Sequence, residues 1–102
     1  MSKYLLLYLG EQASQDQMEE QAPEEIQEEL AKWTEWGTRV GERMVDFGAP
    51  TADTEGIGGN YVGGYSIVSA EEPQELSEIL ADHPHLPYGT IQAVELLDVP
   101  GA

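Results

Sequence analysis

The chain opens on an uninterrupted apolar run, Tyr4-Leu5-Leu6-Leu7-Tyr8-Leu9, closed by Gly10. Its length and its two tyrosines predict a β-strand over residues 4–9. Both faces of that strand are apolar, Tyr4, Leu6 and Tyr8 on one and Leu5, Leu7 and Leu9 on the other. A strand with one face in water alternates apolar with polar residues, so this one needs cover on both sides. Residues 11–22 are polar and aperiodic, which predicts a loop. Pro23, followed by Glu24 and Glu25, then marks a helix start. Proline fits the first helical position, and acids suit the positive end of the helix dipole. Ile26, Leu30, Trp33, Gly37, Val40 and Met44 recur at alternating steps of four and three, the stripe of a helix face. Trp36 lies beside the stripe. Glu28, Glu29, Lys32, Glu35, Arg39 and Glu42 take the outer face, with Glu28–Lys32 and Glu35–Arg39 spaced as i,i+4 ion pairs worth about 0.3 kcal/mol each. Gly37 and Gly41 are expected where this helix crosses a strand closely or ends.

Met44 to Phe47 predicts a short second strand, turned by Gly48-Ala49-Pro50, and residues 51–60 a polar, glycine-rich connection. Tyr61 to Ser69 predicts a third strand, in which Gly63 and Gly64 point to a bulge or a close backbone approach. A second helix is expected from about Glu72 to Asp82, with Leu76, Ile79, Leu80 and His83 inward, and Pro84 ends it. Thr90 to Val99 predicts the last strand, and Pro100-Gly101-Ala102 a tail. The order β-α-β-β-α-β is the ferredoxin-like α+β pattern, an antiparallel sheet with both helices on one face. It accounts for the whole chain as a single domain of 102 residues. The other sheet face is then bare in a monomer, which agrees with the two-faced first strand. The expected partner is a second copy of the chain, packed sheet to sheet as a homodimer that closes a barrel-like core.

Charge narrows the function. Twenty Asp and Glu face four Lys and Arg, a net of −16. Nucleic acid is excluded as a partner, because phosphate binding needs clustered Lys and Arg, and so is an anionic membrane surface. With no cysteine, disulfides, zinc–thiolate sites and thiol nucleophiles are excluded. The opening apolar run is short for a signal peptide, and no stretch approaches the roughly 20 apolar residues of a membrane span. A soluble cytoplasmic protein is expected. The acidic excess has two readings, a solvated helix face or adaptation to a salty cytoplasm, where screening relieves self-repulsion. Lys3 and Lys32 are the only lysines.

Several segments, in order, carry a family resemblance. They are Lys3-Tyr4-Leu5-Leu6-Leu7-Tyr8, Trp33-x-x-Trp36, Asp46-Phe47-Gly48-Ala49-Pro50, Gly64-Tyr65-Ser66-Ile67-Val68 and His83-Pro84-His85-Leu86. Together they resemble the YCII-related (DGPF-like) family across nearly the whole chain. The resemblance implies a dimeric α/β-barrel. In some members a His–Asp pair serves as a proposed acid–base site, with the histidine near the start of the first helix. Asp46 matches the family's acidic position, but this chain has no histidine at the other; its two, His83 and His85, both follow the second helix.

The candidate catalytic residues are therefore Asp46, His85 and His83. Asp46 can act as a general base or orient a histidine, or it can bind the backbone amides of the Gly48 turn. Either histidine can move protons near neutral pH, and His83 can instead stabilise a helix end. Tyr65, Trp36 and Arg43 are the candidate ligand contacts: Tyr65 by its hydroxyl, Trp36 at a pocket rim or dimer contact, Arg43 as a rare cation that otherwise meets a surface Glu. His-x-His spacing alone does not make a metal site, and no metal or cofactor is expected. Gly56-x-Gly58-Gly59 follows no buried strand and opens no helix, so it is not read as a phosphate loop. Two functions remain open. One is a homodimer with a small-molecule pocket between sheet and helix ends, lined by His85, Asp46 and Tyr65, running cofactor-free acid–base chemistry on a small organic substrate. The other is a non-catalytic ligand-binding or accessory module.

Overall fold

The computed structural model describes residues 2–10, 22–55, 60–87 and 89–97. The expectations for most of the first loop, for residues 56–59 and for the tail lie outside them. The elements run β1 (Ser2–Gly10), α1 (Pro23–Val40), β2 (Met44–Glu55), β3 (Tyr61–Ala70), α2 (Pro73–Leu80) and β4 (Thr90–Leu96). The strands form one antiparallel sheet in the order β2-β3-β1-β4. This is the ferredoxin-like βαββαβ arrangement.

Register divides the sheet into two faces. Leu6 stands opposite Ser66 and Ala93, and Tyr4 opposite Val68. Leu6, Tyr8, Val68 and Ala70 pack with Trp36 and Val40 of α1 and Ile79 of α2. Both helices thus cover one face. The stripe of α1 is buried only toward its C-terminal end: Leu30 is 60 % exposed and Trp33 half-buried, while Trp36 is only 3 % exposed. Trp36 therefore belongs to the core rather than beside the stripe. Its Nε1–H donates to the Ile79 carbonyl at 2.9 Å, one of the carbonyls a helix end leaves without an internal partner.

The expected ion pairs of α1 are rearranged. Lys32 meets Glu29 at 3.4 Å rather than Glu28. Arg39 donates to the carbonyls of Ala81 (2.6 Å) and Ile79 (3.4 Å) instead of meeting Glu35. The end of α2 offers carbonyls that need donors, and a guanidinium fits them better than an exposed carboxylate that water already solvates.

β2 is longer than expected, because Gly48-Ala49-Pro50 does not end it. Ala49 stands opposite Tyr65 and Pro50 opposite Gly64, with register shifts on either side. An edge strand tolerates a proline and bulges that a central strand does not. Gly48 has φ +84°, and a Cβ there would overlap the Tyr65 carbonyl. Gly48→Ala is expected to cost roughly 3 kcal/mol, from positive-φ strain plus the forced retreat of β3; urea unfolding of the variant checks it. The glycine pair in β3 does mark a bulge, since Tyr8 faces Gly64 but Leu9 faces Val62, skipping Gly63. α2 stops at Leu80, two residues early, and Asp82 turns the chain with φ 55°.

Candidate functional site

The segment after α2 folds into tight turns. His83 N–H bonds the Leu80 carbonyl, Leu86 N–H the His83 carbonyl and Gly89 N–H the His85 carbonyl. These turns drive His83 under the helices, where it is 1 % exposed. Its ring lies 4.2 Å from that of Trp36 and edge-on to Trp33 at 4.8 Å, centroid to centroid.

Every proton in the hydrogen-bond chain through His83 has a fixed direction. The backbone N–H of His85 donates to His83 Nδ1 at 3.0 Å. An amide can only donate, so Nδ1 holds a lone pair, and the neutral ring carries its proton on Nε2. Nε2 lies 3.2 Å from the Tyr8 hydroxyl and donates to it. Tyr8 donates onward to Ser66 Oγ at 2.6 Å, and Ser66 to the Phe47 carbonyl at 2.7 Å. A carbonyl can only accept, so the chain is closed at both ends by backbone groups. It ties the α2–β4 turn to β1, β3 and β2. Burial, followed by the charges of His85 and Arg39, lowers the His83 pKa from 6.5 to about 3. Burial also pushes the Tyr8 phenol up to about 12. Neither group exchanges protons near neutrality.

His85 is half-buried beside Tyr8, with ring centroids 5.3 Å apart. Its Nε2 lies 2.8 Å from the Leu9 carbonyl, which accepts, so Nε2 carries a proton. The neutral ring then keeps a lone pair on Nδ1, with no hydrogen-bond partner among the described residues.

Asp46 is exposed. Its Oδ1 accepts the Gly48 N–H at 2.8 Å, the side-chain turn that aspartate makes two residues ahead of an amide. Its Oδ2 lies 3.4 Å from the Tyr65 hydroxyl, a long contact. Tyr65 pairs with Leu7 and Asp46 with Ile67, so both belong to the sheet face opposite Tyr8, Ser66 and His83. The structure thus joins Asp46 to Tyr65 and His83 to His85, but it sets the two pairs on opposite faces of the sheet. Arg43 meets Glu75 at 3.6 Å and donates to the Val40 carbonyl at 3.2 Å. Trp36 is in the core. Among the described residues, no three His, Asp or Glu side chains gather as metal donors, and no helix is long and apolar enough to cross a membrane.

Sequence reasoning missed Tyr8 and Ser66 as parts of the chain. Parity held the signal: a serine at a core position of β3, opposite Leu6, needs a partner inside. It also missed Lys3. Lys32, Arg39 and Arg43 each have a partner, whereas the Lys3 ammonium has none among the described residues.

Comparison of the chain with family models and with curated proteins gives no match.

Proposed function

We propose that the protein is a YCII-related homodimer, joined sheet to sheet, that binds a small organic molecule without acid–base chemistry at His83. The separation of Asp46 from the two histidines carries this reading. An acid–base pair needs its members within hydrogen-bond reach of one proton. Here the carboxylate is engaged on one face, and His83 spends both ring nitrogens on the other.

The composition of the bare face supports the dimer. Register assigns it Lys3, Leu5, Leu7, Tyr65, Ile67, Ser69, Gln92, Val94 and Leu96 on the three strands from β3 to β4. Not one of them is acidic, in a chain with twenty acids among 102 residues. Charge depletion at the centre of a patch is what distinguishes an interface from ordinary surface. The net charge of −16 is compatible with a salty cytoplasm, where screening relieves self-repulsion, and it favours neutral or cationic ligands over anions.

One observation keeps a second reading, cofactor-free acid–base catalysis on a small organic substrate. The Nδ1 lone pair of His85 is available in a half-buried setting beside Tyr8. A thermal-shift and turnover screen separates the two, using neutral and cationic small organic molecules in molar KCl. Binding that stabilises the dimer with no turnover is expected. Turnover that disappears in His85→Ala or Asp46→Asn would overturn the non-catalytic reading in favour of the second.

A further inference from the structure

We propose that Lys3 of each protomer pairs with Asp46 of the partner subunit, so that two symmetric ion pairs set the register of the dimer. The proposal rests on the sheet-to-sheet reading above. Lys3 is the cation on the bare face, and the other three cations of the chain are held elsewhere by Glu29, the end of α2 and Glu75. Asp46, opposite Ile67, is a carboxylate that β2 brings to the same face. Two strand positions and the width of β3 separate them within one protomer, since Lys3 stands opposite Ser69. They form no ion pair there.

A second copy changes this. In a two-fold interface the contact of i with j implies the contact of j with i, so one geometry pairs both lysines. Closing the face around Lys3 and Asp46 desolvates both, and an isolated buried charge is strongly disfavoured. Among the residues that register assigns to this face, each is the group of opposite charge that the other can meet across the interface. Asp46 retains accepting capacity, because a carboxylate offers about four lone-pair sites and only the Gly48 contact is short. Other registers of the same apolar face leave both charges unpaired, so the pairs select one alignment.

The test is the dimer dissociation constant by sedimentation equilibrium at one salt concentration. Lys3→Glu sets a carboxylate against the partner's Asp46 and is expected to weaken the dimer at least tenfold. Adding Asp46→Asn, which keeps the acceptor for Gly48 and therefore the fold of the bulge, is expected to recover most of that loss. Adding Glu28→Gln instead makes the same change in net charge on the outer face of α1 and is expected to recover little. Equal recovery by both second substitutions, or no weakening by Lys3→Glu, would overturn the pairing while leaving the dimer standing. A wild-type chain that sediments as a monomer would overturn the sheet-to-sheet reading itself.

Discussion

Lowering the pH from 7 to 3 is expected to remove on the order of 4 kcal/mol of stability through His83 alone. Unfolded, this histidine takes up a proton near pH 6.5; folded, it resists until about pH 3. Between those values the unfolded chain binds the extra proton, so stability falls as the pH falls. The contribution is complete above pH 6.5 and lost by about pH 3. The structural cause is direct. A proton on Nδ1 would point at the His85 N–H, which can only donate, in a pocket walled by Trp33 and Trp36. Carboxylate protonation works in the opposite sense over part of this range, because it relieves repulsion in a chain with twenty acids. The measurement is therefore a difference. Urea unfolding of the wild type and of His83→Gln should converge as the pH drops, the gap shrinking by roughly that amount. A gap independent of pH would show that His83 is not held neutral.

The melting temperature is expected to rise by tens of degrees between dilute buffer and molar KCl. Glu24 and Glu28, and Glu25 and Glu29, are like-charged neighbours one turn apart on α1, each pair unfavourable by about 0.3 kcal/mol. Most acids have no cation to meet, since there are four and three are already engaged. Molar salt shortens the screening length to about 3 Å, which removes most of this repulsion. In a domain of this size about 1 kcal/mol moves the midpoint by roughly 4–8 °C, so the expected shift corresponds to several kcal/mol. Calorimetry across KCl concentrations checks it, and a flat response would leave the acidity as an ordinary solvated surface.

Element order and fold class were legible because each element carries its own period. The steps of α1, the apolar run of β1 and the proline after α2 are local signals. The course of β2 was not, because Gly48 and Pro50 signal a turn unless the strand lies at an edge, and edge position is a tertiary fact. The outer-face ion pairs misled for a related reason. Arg39 and Lys32 have several partners in reach, and the carbonyls at the end of α2 become a partner only once the helices pack. At the site, the capping role of Asp46 was readable from Asp-x-Gly. The burial of His83 was not readable from His83-Pro84-His85, since the same segment at a free helix end would be solvated. What decides it is the positive φ of Asp82 and the turns that follow. Tyr8 and Ser66 then supply polar partners that come from distant parts of the chain.

Long-range nitrogen–proton NMR of the two imidazoles across pH 8 to 5 tests most directly whether His83 is a structural rather than a catalytic group. His83 is expected as the neutral Nε2–H form throughout, with no titration and no response to Asp46→Asn. A midpoint near 6.5, or one that moves when Asp46 loses its charge, would contradict the hydrogen-bond chain and restore an acid–base pair.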